Sequence, residues 1–155
     1  MRLVILVGLP ASGKSTWAQK QALPILSSDA VRVLLTGDVT HQGANRLIFH
    51  TLRQLAAARL QAGMKVTCID STALTQWERR CWVRFAQLHN CEAEAVYFDV
   101  PLGECKRRNA ARDRVVPDPV MDLMAARLQP PDVGEGFSRI TVVRPDPQPP
   151  SSSSA

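Results

Sequence analysis

The chain has 155 residues, of which 45% are hydrophobic and 21% charged, a composition that favours one globular domain and excludes a disordered chain. No apolar run approaches the ~18–20 residues of a transmembrane helix, so we expect no membrane span. The formal net charge is +5, which suits a polyanionic partner and is also compatible with a solvated basic surface.

Short apolar runs alternate with longer helical segments along the chain. The runs are rich in Val and Ile and apolar on both faces, as expected for parallel strands that helices cover on both sides. The first run is too short for a secretory signal and is predicted to be a buried strand. The predicted strands are Leu3–Val7, Pro24–Ser27, Lys65–Ile69, Ala93–Phe98 and Arg139–Val143. This alternation predicts an α/β fold with right-handed crossovers.

Helix signals occupy the intervals between the strands. Thr75 opens a capping box, Pro101 is predicted at the first position of a helix, and Asp118 is predicted to cap another. The predicted helices cover residues 15–22, 44–62, 75–89, 101–111 and 118–129. Residues 145–155 are rich in Pro and Ser and are predicted to form a disordered tail after a domain that spans residues 1–144.

The segment Gly8–Ser15 matches G-x-x-x-x-G-K-[ST], the pattern of a phosphate-binding loop. Its glycines allow backbone N–H groups to turn inward as a nest for phosphate oxygens, and the following helix N-terminus favours anions. We expect Lys14 to reach the β- and γ-phosphates of ATP, and the Ser15 hydroxyl to complete a Mg²⁺ shell. The predicted nucleotide-binding residues are Gly8, Pro10, Ala11, Ser12, Gly13, Lys14, Ser15 and Thr16.

Two acidic residues follow predicted strands, where ligands of open α/β sheets bind. Asp70 closes an apolar run in the Walker B pattern and either holds a Mg²⁺ water beside Ser15 or serves as a turn aspartate. Asp29 can accept a proton from an acceptor hydroxyl, as a kinase base does, or can cap the helix predicted over residues 30–35. Arg32 lies three residues on and either holds an acceptor phosphate or pairs with Asp29.

Residues 102–114 form a basic segment with five Lys or Arg and two acidic residues. Arg108 and Arg112 are four residues apart, so they are predicted to be neighbours on one helical face. Their guanidinium groups suit the oxygens of a transferring phosphoryl group, which favours an arginine-bearing lid over the nucleotide. The alternative is a solvated basic helix.

The cysteines and histidines indicate no metal centre. Cys68, Cys81, Cys91 and Cys105 form no C-x-x-C pair, and the three histidines fit no ligand pattern around them. We therefore expect no structural zinc and predict free, mostly buried thiols in a cytoplasmic protein.

Taken together, these residues resemble the kinase module of polynucleotide 5′-kinases, which belongs to the small P-loop kinases. The matching elements are the loop at residues 8–16, Ser28-Asp29-x-x-Arg32, Asp70, Arg108-Asn109-x-x-Arg112 with Val116-Pro117, and Gly134-Glu135-Gly136-Phe137. The resemblance implies a P-loop NTPase fold with a five-stranded parallel sheet like that of nucleoside monophosphate kinases. One departure is Ser71-Thr72-Ala73 after Asp70, where the family often has a small residue followed by Thr-Asn.

The resemblance also implies transfer of the γ-phosphate of ATP to a 5′-hydroxyl. In that reaction Asp29 is the base, Arg32 holds the acceptor's phosphate, and Arg108 and Arg112 form the lid. The first hypothesis is therefore an ATP- and Mg²⁺-dependent kinase of nucleic-acid 5′ ends. A kinase of a small hydroxyl compound or of a tRNA-attached group is the alternative, and a nucleotide-binding regulatory module with little turnover is a further one. The sequence leaves the oligomeric state open.

Overall fold

The protein's structure is a computed structural model that describes residues 1–147, so most of the predicted tail at 145–155 lies outside the described residues. Five strands form one sheet in the order β2-β3-β1-β4-β5. They are β1 (Arg2–Val7), β2 (Ile25–Ser27), β3 (Val66–Asp70), β4 (Glu92–Phe98) and β5 (Arg139–Val143). All four strand pairs are parallel, and each strand lies within one residue of its predicted bounds. The predicted α/β fold with a five-stranded parallel sheet is confirmed.

Helices cover both faces of this sheet. They are α1 (Lys14–Lys20), α2 (Ser28–Thr36), α3 (Asn45–Gln61), α4 (Gln76–Leu88), α5 (Leu102–Ala110) and α6 (Asp118–Arg127). On one face α3 and α4 bury Leu52 and Trp82 against the sheet, and on the other face α1 and α6 bury Ala18 and Met121. In the described part of the chain, no helix is both long and apolar enough to pass through a lipid bilayer.

The register of the central strands determines which loops meet. Ile5 of β1 pairs with Ile69 of β3, and Ser27 of β2 pairs with Asp70 of β3. Because the strands are parallel, the loops that follow β1, β2 and β3 emerge at the same edge of the sheet. The residues after Val7, Ser27 and Asp70 are therefore neighbours in space.

Three predictions about helix starts are wrong by one or two residues. Ser27 caps α2, because its hydroxyl accepts a hydrogen bond from the Ala30 N–H at 3.3 Å, and Asp29 lies inside the first turn. Pro101 is the N-cap of α5 rather than its first residue. The N-cap of α6 is Pro117, so that Asp118 is its first helical residue. The cap interpretation of Asp29 is thereby excluded.

The cysteines are less buried than predicted. Cys68 and Cys105 are buried, whereas Cys91 is half-buried and Cys81 is exposed on α4. Cys81 is exposed although the core buries the neighbouring Trp82, because adjacent residues of a helix project in different directions. Among residues 1–147 no group of three or more His, Cys, Asp or Glu side chains is arranged to hold a metal ion.

A buried ion pair joins α4 to the turn before β5. The Arg79 guanidinium makes a bidentate contact with Glu135, with Nε–Oε2 and Nη2–Oε1 distances of 2.8 and 2.7 Å. Its Nη1 donates to the carbonyl oxygens of Ala73 and Leu74 at 2.9 and 3.1 Å. The side chains of Arg79 and Glu135 are 0% and 4% exposed, so the pair is shielded from solvent. Through its bonds to Ala73 and Leu74, Arg79 also fixes the loop after β3.

Candidate active site

A cavity of about 1300 Å³ lies at the edge of the sheet where β1, β2 and β3 end. Its walls come from the loop after β1, the first turn of α2, the start of α3, the loop after β3 and the segment that follows α5. Basic side chains outnumber acidic ones among the lining residues. The cavity therefore suits an anionic ligand.

The loop after β1 has the backbone conformation that a phosphate nest requires. Ala11 and Gly13 have left-handed φ angles of 61° and 94°. A Cβ on Gly8 would lie 2.8 Å from the Ser12 Oγ and 3.0 Å from the Phe98 Cβ, so a side chain does not fit at position 8. The Gly8 N–H donates to the Thr72 carbonyl at 3.1 Å, which ties this loop to the one after β3.

Lys14 lies inside the loop and is only 7% exposed. Its Nζ donates to the carbonyl oxygens of Gly8 and Leu9 at 3.1 and 2.8 Å. Burial lowers the pKa of Lys14 to about 8, against a partial opposing effect of the Asp70 carboxylate. Release of this ammonium group toward an incoming polyphosphate would exchange two contacts with neutral carbonyl oxygens for contacts with negatively charged phosphate oxygens.

Ser15 and Asp70 form a pair suited to a magnesium ion. The Ser15 hydroxyl donates to the Asp70 Oδ2 at 2.6 Å, and both residues line the cavity. Mg²⁺ prefers oxygen ligands and is commonly held by a hydroxyl or carboxylate together with substrate phosphates. The nearby Ser12 hydroxyl is buried and has no hydrogen-bond partner within residues 1–147, which leaves a polar atom in the loop for a phosphate oxygen. The residues present therefore fit both Mg²⁺ and a nucleotide.

Asp29 and Arg32 both line the cavity, but they do not pair with each other. Arg32 is 7% exposed and donates from Nη1 to the His41 carbonyl oxygen at 2.7 Å. The Asp29 carboxylate instead lies 3.1 Å from the Arg114 guanidinium. The interpretation of Arg32 as the ion-pair partner of Asp29 is therefore wrong, and the contact with His41 is the only hydrogen bond that the Arg32 side chain makes within residues 1–147.

The two arginines of the predicted lid reach the cavity from different local structures. Arg108 is on α5, with its Nε 2.8 Å from Glu104 Oε1, and its Nη1 lies 3.7 Å from the point where a Cβ on Gly13 would be. Because α5 ends at Ala110, Arg112 lies in the following turn, so the prediction that they share a helical face is wrong. Arg112 is nevertheless close enough for its charge to contribute to the lowered pKa of Lys14.

The sequence analysis assigned no role of their own to two residues of this segment, Asn109 and Arg114. Asn109 is 1% exposed, donates to the Val116 carbonyl at 2.7 Å and accepts from the Val116 N–H at 3.0 Å. These two bonds close the turn that carries Arg112 and Arg114 over the cavity. Arg114 belongs to the basic segment, which could have indicated that it contributes to the site, but only the fold shows that it forms an ion pair with Asp29.

The parallel sheet, the phosphate loop and the Ser15–Asp70 pair define a nucleotide-binding domain of the P-loop NTPase class. The family model described as AAA domain (AAA_33) matches residues 3–131, and the chain belongs to this family of P-loop kinase domains. The predicted resemblance to polynucleotide kinase-like P-loop kinases is confirmed at the level of this family.

A curated relative is the bifunctional polynucleotide phosphatase/kinase of Schizosaccharomyces pombe, 27% identical over 148 residues. The match covers 91% of this chain and 33% of the relative, so the chain spans a third of that protein's length.

Solved structures agree on the fold. A chain of the Pnkp1/Rnl/Hen1 RNA repair complex is 21% identical, with a TM-score of 0.71 over 83% of this chain and 44% of that one. The Mycobacterium tuberculosis APS kinase CysC, solved in complex with AMPPNP and APS, is 18% identical, with a TM-score of 0.62 over 94% of this chain and 89% of that one. Both solved structures therefore share the fold of this chain.

Proposed function

We propose that this protein transfers the γ-phosphate of ATP to the 5′-hydroxyl of a polynucleotide. The observation that carries the proposal is the presence, in one cavity, of a phosphate loop after β1 and of a carboxylate and a guanidinium group, Asp29 and Arg32, on α2, the helix that follows β2. A phosphoryl-transfer enzyme requires a donor site and an acceptor site at such a distance that one phosphorus atom can pass between them.

On the donor side, backbone N–H groups of residues 11–16 and the Lys14 ammonium bind the polyphosphate of ATP. Ser15 and Asp70 hold Mg²⁺, which when bound neutralises charge on the β- and γ-phosphate oxygens. Arg108 and Arg112 contact the phosphoryl group from the side of α5, where their charge stabilises the transition state. Their approach to Gly13 and Lys14 supports this role.

On the acceptor side, Asp29 accepts the proton of the attacking hydroxyl. The acceptor oxygen bonds to the γ-phosphorus, the bond to the β–γ bridging oxygen breaks, and ADP leaves with that electron pair. Arg32 holds the phosphate group that follows the terminal nucleoside and so orients its 5′-hydroxyl toward Asp29. The excess of basic over acidic residues in the cavity wall supports an acceptor that carries phosphates.

Transfer from γ-labelled ATP to a panel of acceptors tests this proposal. The panel contains 5′-hydroxyl RNA, 5′-hydroxyl DNA, the same strands with a 5′-phosphate, nucleosides and simple sugars. We expect label only on the strands with a free 5′-hydroxyl, and none with the variant Lys14→Ala. Label on a nucleoside or sugar alone would establish the small-molecule alternative. Binding of ATP without transfer to any acceptor would favour the regulatory module.

A further inference from the structure

Two arginines of α3 stand between the reaction cavity and a second hollow. Arg46 and Arg53 line the large cavity together with Asp29 and Arg32, and both also line a hollow of about 600 Å³ beside the N-terminal half of α3. His50 of the same helix is part of this hollow. The two cavities therefore share Arg46 and Arg53 as a common wall, which extends from the reacting groups onto the surface of α3.

The spacing of these residues along the helix aligns them. Positions 46, 50 and 53 are four and three residues apart, so their side chains project from one face of α3. Arg46 and Arg53 are two helical turns apart, a rise of roughly 10 Å, which suits successive anionic groups of a polymer better than one small anion. Arg46 and His50 are exposed, and Arg53 is half-buried.

Within residues 1–147, the charges of these two arginines have no acidic partner. Four of the eight other cations that line the cavity have an acidic partner: Arg114 pairs with Asp29, Arg108 with Glu104, Arg127 with Glu78, and Arg144 with Asp99. Among the ion pairs that residues 1–147 make, none involves Arg46 or Arg53. Neither side chain donates a hydrogen bond to another described residue. Two guanidinium groups on one helix face, without a carboxylate partner among the described residues, form a positive track along α3.

We propose that this track, formed by Arg46, His50 and Arg53, binds the phosphodiester backbone of the acceptor beyond its first phosphate. The inference rests on the proposed function, because it extends the acceptor site around Asp29 and Arg32. Arginine suits this role, since its planar fork binds phosphate oxygens in a bidentate manner. The acceptor is therefore a strand of several nucleotides, and a mononucleotide occupies only the part of the site next to Arg32.

Acceptor length is the quantity that tests the track. The KM of the wild-type protein is measured for a nucleoside 3′-monophosphate and for a single-stranded 5′-hydroxyl RNA decamer, each at several salt concentrations. We expect a KM for the decamer at least tenfold lower, and in Arg46→Gln/Arg53→Gln we expect that advantage to shrink by roughly tenfold or more. The slope of log KM for the decamer against log salt concentration should decrease by about one unit for each arginine removed.

Arg84→Gln is the matched control. Arg84 is exposed on α4, lines neither cavity and makes no ion pair within the described chain, so its replacement removes the same charge elsewhere. This variant should keep the decamer advantage and the wild-type salt slope. The proposed track is contradicted if the wild-type protein phosphorylates both acceptors with equal KM, or if the double variant keeps the lower KM for the decamer. In either case the proposed function stands. If the wild-type protein phosphorylates neither, the proposed function fails and the track with it.

Discussion

Arg114 and Asp29 form an ion pair with a distance of 3.1 Å between Nη1 and Oδ2, although they are 85 positions apart in the sequence. The pair joins the turn after α5 to the first turn of α2, so that the segment that carries Arg112 is connected to the helix of Asp29 and Arg32. The two side chains are 35% and 56% exposed. Such a solvated pair contributes at most about 1 kcal/mol, so it can open and close at little cost.

A double-mutant cycle measures this pair. The free energy of unfolding is determined for Arg114→Gln, for Asp29→Asn and for the double variant, at low and at high ionic strength. We expect a coupling of about 0.2–1 kcal/mol at low salt that becomes negligible at high salt, because solvent ions screen an exposed pair. A coupling that is large and independent of salt would mean that the pair is shielded from solvent.

Asp29→Asn separates catalysis from stability. Because Ser27 caps α2, we expect this variant to lose no more than about 1 kcal/mol of stability, the upper value for its exposed ion pair. If Asp29 is the base, the rate of transfer at saturating ATP falls by ~10²–10⁴-fold. Ser27→Ala is the comparison for stability and should lose about 1 kcal/mol with the cap. An Asn variant within threefold of the wild-type kcat would remove Asp29 from the chemistry.

The pH dependence of ATP binding follows from the buried Lys14. Because burial lowers its pKa to about 8, the protein without nucleotide loses this positive charge as the pH rises through that value. Polyphosphate binding favours the charged form, so the Kd for ATP should be nearly constant below pH 8 and rise by up to tenfold per pH unit above it. Calorimetric titrations from pH 7 to 9.5 measure this.

Lys14→Gln provides the control for that pH profile. It removes the titrating group, so it should bind ATP weakly and with no increase in Kd between pH 8 and 9.5. A wild-type profile that stays flat over the same range would show that Lys14 keeps an ordinary pKa.

The buried pair of Arg79 and Glu135 should carry a large penalty when only one partner is removed. In Glu135→Gln the guanidinium keeps its charge without a carboxylate, and we expect a loss of about 3–5 kcal/mol in urea unfolding. The double variant Arg79→Met/Glu135→Leu should be more stable than Glu135→Gln, because it leaves no unpaired charge.

Asp99→Asn is the surface control for this measurement. Asp99 pairs with Arg144 at 3.1 Å, and their side chains are 45% and 69% exposed, so its loss should cost less than about 1 kcal/mol. If Asp99→Asn and Glu135→Gln lost the same free energy of unfolding, burial of the Arg79–Glu135 pair would not be the cause of the loss in Glu135→Gln.

The local elements of this protein are determined by the sequence alone. The strands are recognisable because each is a short apolar run, and the phosphate loop because its glycines, Lys14 and Ser15 stand at fixed spacing within eight residues. The capping box at Thr75 is also confirmed, because its contacts span only three residues. The residues of the phosphate loop and of the capping box are only a few positions apart, so local backbone geometry determines their relative positions.

Tertiary structure alone decided the partners of the charged residues. Arg79 meets Glu135 across 56 positions and Asp29 meets Arg114 across 85, so both pairs depend on strand order and on the path of the helices between them. The choice of Ser27 over Asp29 as the cap of α2 depends on where β2 stops pairing with β3. Charged side chains are long and each has several possible partners, so their pairing follows from the positions of the elements and not from spacing along the chain.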